Sequence, residues 1–292
     1  MSPTTSTYTS ETDGTVVTAY SWGGELPDRR GVVQIAHGLG EHGARYDRLA
    51  RALVDAGYAV HASDHRGHGA TAQGRFGEFG VAGFDGLVAD VVQLGREVRG
   101  LHPGLPLALF AHSMGSFAAQ RALLDHSSVW DAVVLSGSTA LDVLAANLAS
   151  AGDSGAAGLE AFNAGFEHRT GFEWLSRDEA EVDAYCADPW CGFDTPPELI
   201  GALFGGAARM ADPEALRGIR PDLPVLLASG TDDPLAGGGQ LVELVGARYR
   251  EAGLRDVTVT LYPGARHEIV NETNRDEVTA DVIGWLGAHL PA

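Results

Sequence analysis

The residues best suited to covalent chemistry in this chain of 292 residues begin with Ser113, in Leu107 to Gly115, L-A-L-F-A-H-S-M-G. A short apolar run leads into the serine, small residues lie two positions to either side, and a helical pattern follows. This is the context of a nucleophile elbow, a tight strand-to-helix turn that lifts a hydroxyl off a strand end and sets it at the positive end of a helix dipole. A serine that merely caps a helix has the same local signature, so the reading requires partners. A serine hydroxyl is a poor nucleophile at neutral pH and needs a histidine base held by a carboxylate. In a strand, turn and helix context the chain order is Ser, acid, His. Asp233, in S-G-T-D-D-P-L, and His267, in Y-P-G-A-R-H-E, satisfy it, each just beyond an apolar run. Asp232 is the rival carboxylate, and Asp233 is preferred because Pro234 after it fixes the turn. The oxyanion of an acyl transfer also needs backbone donors. Met114 after the nucleophile and Leu39, in H-G-L-G-E-H-G after an earlier strand, are the expected pair.

Those residues must be carried by a frame. Runs of buried character at Thr15 to Trp22, Gly31 to Ala36, Tyr58 to Ser63, Leu107 to Ala111 and Ala132 to Leu135 alternate with helical stripes, the longest from Phe84 to Leu101, stopped by Pro103-Gly104. After Ser138 the alternation gives way to helical pieces and loops rich in Gly, Asp and Pro, then resumes with a strand at Pro224 to Ser229, a helix at Gln240 to Glu251, a strand at Val257 to Tyr262 and a closing helix at Asp276 to Leu290. The fold class is therefore α/β, with a mostly parallel central sheet flanked by helices and interrupted by an insertion. Sheets of this kind place their sites at the carboxyl ends of the strands, where Ser113, Asp233 and His267 all fall.

Composition removes other classes. The formal charge of −19 disfavours phosphate backbones and anionic lipid, so no nucleic acid partner is expected and at most transient contact with a lipid surface. All 20 basic residues are Arg, which excludes any chemistry needing a lysine amine. No apolar run reaches the ~18 to 20 residues of a membrane span, and no apolar segment follows Met1 to Thr7, so the expected compartment is the cytoplasm. Cys186 and Cys191 read as two free thiols. Two motifs compete with the serine reading. Gly38, Gly40 and Gly43 form a G-x-G-x-x-G with Asp64 at the end of the next strand, a dinucleotide pattern that leaves Ser113, Asp233 and His267 without a role. His61, His65 and His68 cluster without the carboxylates a metal site needs and read as polar turn residues packed near the site, so neither metal nor cofactor is expected.

Five blocks in order, H-G-L-G-E-H-G-A-R-Y at 37–46, D-H-R-G-H-G at 64–69, A-H-S-M-G at 111–115, D-P-L at 233–235 and Y-P-G-A-R-H-E at 262–268, resemble the α/β-hydrolase superfamily, specifically its monoacylglycerol lipase and lysophospholipase branch, from about Thr15 to Leu290. Departures are Ala111 where the family has Gly, and Ser116 where it has a second Gly. The resemblance implies a serine hydrolase that cleaves small acyl esters through an acyl-enzyme, with Ser113, Asp233 and His267 as triad and the Leu39 and Met114 amides as oxyanion donors. It also divides the chain into a flexible tail at 1–12, a core at 13–138, a mainly helical cap at 139–217 and the rest of the core at 218–292. Leu141, Leu144 and Leu148 share a helical face of that cap, and Phe162, Phe166, Phe172, Trp174, Trp190, Phe193, Leu199, Leu203 and Phe204 offer more apolar surface than it can easily hide. Leu144, Phe162, Phe166 and Trp190 are the candidates for lining an acyl pocket. Two rival functions are an amide or peptide hydrolase of the same superfamily, which acidic cap residues binding a substrate amine would favour, and a ligand-binding relative without turnover.

Overall fold

Runs apolar or β-branched at nearly every position need cover on both faces, which a sheet between two helical layers provides. The computed structural model describes residues 2–24, 29–151, 158–193 and 197–290. Its strands are β1 (Thr4–Thr9), β2 (Val16–Trp22), β3 (Gly31–Ala36), β4 (Tyr58–Ser63), β5 (Leu107–His112), β6 (Ala132–Ser136), β7 (Val225–Gly230) and β8 (Val257–Tyr262). They form one sheet in the order β1-β2-β4-β3-β5-β6-β7-β8. The β1 and β2 pairings are antiparallel, and every pairing from β4 to β8 is parallel.

The helices are α1 (Asp47–Asp55), α2 (Gly83–Leu101), α3 (Met114–His126), α4 (Leu141–Ala151), α5 (Glu179–Ala187), α6 (Pro197–Gly205), α7 (Ala207–Ala211), α8 (Pro213–Leu216), α9 (Gln240–Glu251) and α10 (Arg275–His289). Side-chain alternation along a strand assigns each residue to one layer. Along β5, Leu107, Leu109 and Ala111 join the core shared with α2, α3 and α9, whereas Ala108 and Phe110 join the core shared with α1 and α10. The same parity runs through β6 and β7. The five helices α4 to α8 all lie between β6 and β7, where the sequence loses its alternation. The loops that follow β3, β5, β7 and β8 bring in Leu39, Ser113, Asp233 and His267.

The expected flexible tail at 1–12 is corrected: Thr4 to Thr9 is an edge strand, in register from Thr4 opposite Ser21 to Thr9 opposite Val16. Its Thr and Ser side chains are exposed, so the hydrophobic pattern was silent, and β-branched propensity with a polar anchor decides instead. The anchor is Arg66, 1% exposed, which pairs with Asp13 and Asp90 at 2.8 Å each. Its guanidinium also donates to Ser10 Oγ (3.1 Å) and to the Phe79 carbonyl (3.1 Å). Removing one partner of a buried ion network strands the other charges, so Arg66→Ala should lower stability by about 3–5 kcal/mol, read from the denaturation midpoint.

Candidate active site

β5 delivers Ser113 into a turn that few residues tolerate. Its backbone stands at φ 50°, ψ −121°, and only one other described non-glycine residue, Gln73, has a positive φ. The Ser113 N–H donates to the Ser136 carbonyl (2.9 Å), and α3 starts at the next residue. A side chain at Gly115 would put its Cβ 2.4 Å from the Ala36 carbonyl oxygen, so the helix can approach β3 only with glycine there. Ala111 is fully buried and fits where the family has Gly. Ser116 Oγ donates to the Ser113 carbonyl (2.6 Å), so that departure adds a hydrogen bond to the turn.

Asp233 and His267 meet behind the serine. His267 Nδ1 lies 2.9 Å from Asp233 Oδ2, with both residues about 1–2% exposed. Asp233 also accepts from Ser229 Oγ (3.1 Å) and from the Leu235 N–H (2.9 Å). Burial alone would raise the carboxyl pKa, but His267 and these donors hold it below the ordinary value. Burial works against imidazolium at His267, yet the Asp233 charge and hydrogen bond, with the Glu268 and Glu41 charges, leave that pKa raised. The rival Asp232 is exposed. His267 Nε2 is buried and has no partner among the described residues. Shared neighbours bring serine and imidazole to one place: a Cβ on Gly137, which follows the Ser136 that pairs with Ser113, would lie 3.0 Å from His267 Cε1.

The loop after β3 closes against the serine from the other side, since a Cβ on Gly38 would stand 3.1 Å from Ser113 Cβ. Glu41 holds this loop, accepting from the Gly38 N–H (2.6 Å), Tyr46 Oη (2.8 Å) and Arg45 (2.8 Å). Arg45 also forks onto Glu268 (2.7 and 2.9 Å), the residue after His267. Burial opposes the Glu268 charge, but Arg45 holds its pKa at about 2. From the far side, Tyr185 Oη and the Gly192 N–H both donate to the Gly40 carbonyl (2.8 and 2.9 Å). Leu39 is thus suspended between two anchored glycines. Met114 is the first residue of α3, so its N–H has no helical acceptor.

A cavity of about 370 Å³ opens over the serine. Leu39, Ser113 and Met114 form its floor, Leu144, Leu148 and Phe162 one wall, and Trp174, Leu203 and Phe204 further wall. Two of the four sequence candidates therefore sit in it. The other two do not: Phe166 packs under the Arg266 guanidinium (4.7 Å), and Trp190 is 36% exposed and meets the His42 ring edge-on at 5.2 Å. Apolar residues at helical spacing could not be told apart by face without the fold. The side chain of Leu199 lies outside the described residues. Sequence reasoning named Trp174 only as apolar surface and missed the Glu41, Arg45 and Glu268 network. The signal for the latter was acid and base within the motifs flanking Leu39 and His267.

The competing motifs are absorbed by these loops. Asp64 accepts from the Gly43 N–H (2.9 Å), the Ala70 N–H (2.8 Å) and Tyr20 Oη (2.8 Å), which leaves it committed to the turn rather than to a ribose. His37 Nε2 accepts from the His65 N–H (2.9 Å) and His68 Nε2 from the Gly40 N–H (3.3 Å). Burial pushes His65 down to about 3 and His68 to about 4, so they serve as neutral struts. His61 contacts His102 instead (2.8 Å). Among the described residues, His42, Asp188 and Cys191 bring possible metal-binding atoms within 4.8 Å of one another. Burial pushes the Cys191 thiol up against the pull of the nearby Arg45 charge, and a protonated thiol beside a guanidinium is a poor cation ligand. Cys186 and Cys191 are both free.

The family model described as serine aminopeptidase, S33 matches residues 27–274. A monoacylglycerol lipase of Mycolicibacterium smegmatis is 32% identical over 272 residues, covering 90% of both chains. The human monoglyceride lipase is 30% identical, covering 87% of this chain and 80% of its own. Among solved structures, a thermostable carboxyl esterase from Bacillus coagulans in complex with glycerol superposes with a TM-score of 0.83 at 29% identity, covering 99% of each chain. With its parallel sheet, serine turn and Asp–His pair, the chain belongs to this serine aminopeptidase S33 family of α/β-hydrolases and is a serine ester hydrolase.

Proposed function

We propose that Ser113, His267 and Asp233 are the catalytic triad of a hydrolase acting on monoacylglycerols and similar acyl esters in the cytoplasm, with residues 139–217 as the cap over its acyl pocket. His267 Nε2 takes the Ser113 Oγ proton as the oxygen attacks the ester carbonyl. The Leu39 and Met114 amides receive the oxyanion. Collapse breaks the bond to the alcohol, which leaves with the proton from His267. Water, deprotonated by the same nitrogen, then attacks the acyl-enzyme and releases the carboxylic acid and Ser113. The observation that carries the reading is an apolar cavity lined by a strained serine and by Trp174, the residue that stacks on the imidazole of a buried Asp–His pair. Its relatives that are named for monoglycerides support the substrate class. The two free thiols fit a reducing compartment, and no described helix is long and apolar enough to cross a membrane.

Among the described residues the cavity wall carries no carboxylate for a substrate amine, which favours esters over aminopeptidase chemistry. The test is a rate profile over glycerol monoesters of increasing acyl length, run beside an aminoacyl amide. We expect kcat/KM to climb with chain length until the cavity is filled and the amide to be turned over far more slowly. A short-chain optimum would reduce the protein to a general esterase, and comparable amide turnover would favour the peptidase reading.

A further inference from the structure

We propose that Trp174 selects alcohol leaving groups that carry an oxygen beyond the scissile ester, its indole N–H donating to that oxygen. The inference rests on the catalytic reading of Ser113 and His267 and adds a specificity-determining residue to it.

Trp174 is fixed to the base twice over. Its ring lies against the His267 imidazole, with centroids 4.8 Å apart and planes at 38°, and is backed by Phe162 at 5.2 Å. Its carbonyl accepts the His267 N–H (3.3 Å), and its own N–H donates to Asn163 Oδ1 (2.9 Å). The next carbonyl, of Leu175, accepts the Glu268 N–H (2.8 Å). The indole is therefore registered to the imidazole through backbone as well as ring. Yet Nε1, on a residue only 3% exposed, is covered and donates to nothing among the described residues. Buried indole N–H groups are nearly always paired, because leaving one unmade forfeits its hydration without return.

The cavity supplies the context for that donor. Apart from Ser113, Trp174 is the only described lining side chain with an N–H or O–H; the others are Leu, Ile, Phe, Ala and Met. The leaving oxygen takes its proton from His267 Nε2, so Trp174, which both lines the acyl cavity and stacks on that ring, is assigned to the border between acyl chain and alcohol. A glycerol monoester brings hydroxyl oxygens there, whereas a simple alkyl ester brings only methylenes and leaves the donor unmet. A site built around such a donor discriminates against the analogue that cannot satisfy it.

The test uses two octanoate esters that differ only in the alcohol, 1-monooctanoylglycerol and propyl octanoate, with Trp174→Phe, which keeps a ring against His267 and removes the N–H. We expect the preference for the glycerol ester, the ratio of its kcat/KM to that of propyl octanoate, to fall about 3- to 10-fold, the equivalent of one net hydrogen bond between neutral groups, over any loss common to both esters from repacking beside His267. Benzothienylalanine at position 174, which keeps the shape of the indole but has no N–H, should give the same loss of preference and controls for repacking. A parallel fall for both esters, or an unchanged ratio with both replacements, would overturn the proposal by reducing Trp174 to packing. Either outcome leaves the triad untouched, whereas persistent turnover of both esters by Ser113→Ala would strike the catalytic reading itself.

Discussion

Ser113→Ala is expected to lose ester hydrolysis by roughly 10⁶-fold in kcat, the scale seen when the serine of a triad is removed, while remaining folded. The size follows from the site's construction. His267 can activate only an oxygen held at the end of β5, and among the described residues the cavity above Ser113 offers no other hydroxyl or thiol. The fold survives because the turn is held by backbone and by a neighbour: the residue 113 N–H to the Ser136 carbonyl, and Ser116 Oγ to the residue 113 carbonyl. Serine at φ 50° carries backbone strain of about 1–3 kcal/mol, and alanine carries the same. Glycine relieves it, so Ser113→Gly should be equally inactive but more resistant to denaturant than Ser113→Ala. Hydrolysis rates and unfolding midpoints of the two variants separate chemistry from fold. Turnover by either near the parent level would remove Ser113 from the mechanism.

Much of this arrangement could be read before any coordinates. Strands β3, β4 and β8 carry the bounds the sequence predicts, because β3 and β4 are buried and largely apolar, β8 alternates β-branched residues, and all three end at Gly, Pro or polar turns. The order Ser, Asp, His was legible because loops at strand ends are where such sheets put side chains. The choice of Asp233 over Asp232 had rested on Pro234. In the structure it is burial that separates the two, with Asp233 enclosed and bonded to His267 and Asp232 turned to solvent.

What escaped the sequence did so for identifiable reasons. β1 is polar on its visible face and is tied down by Arg66, whose partners Asp13 and Asp90 are too far apart in the chain for spacing to suggest a pair. The cap residues share composition without a shared direction: Phe162 and Leu144 face the cavity, while Phe166 and Trp190 pack on Arg266 and His42. Trp174 looked like one more aromatic, since only the fold reveals that its ring rests on His267 and that its N–H lacks an acceptor. The Arg45 fork between Glu41 and Glu268 likewise joins two motifs that sequence reads separately, and it couples the loop of Leu39 to the loop of His267.

Asp233→Asn should lower kcat by about 10³- to 10⁴-fold and move the acid limb of the pH profile to lower pH. The first effect is a matter of which atom faces the imidazole. Oδ1 of residue 233 is held by the Leu235 N–H, a fixed backbone donor, so an asparagine will keep its carbonyl oxygen there and turn its NH₂ toward His267. Nδ1 must then accept, the ring proton moves to Nε2, and Nε2 can no longer take the proton of Ser113. The second effect follows from the balance at His267, where burial lowers the pKa and the Asp233 charge and hydrogen bond, with the Glu268 and Glu41 charges, together raise it further. In the parent protein activity therefore falls as pH drops through a raised imidazole pKa, because the base becomes protonated. With the Asp233 charge gone, burial is opposed only by the Glu268 and Glu41 charges, the pKa falls, and the residual activity persists to lower pH. Profiles of kcat/KM for parent and variant measure both effects together. A large loss of rate with an unmoved acid limb would mean that a group other than His267 titrates there, and the assignment of the base would have to be abandoned.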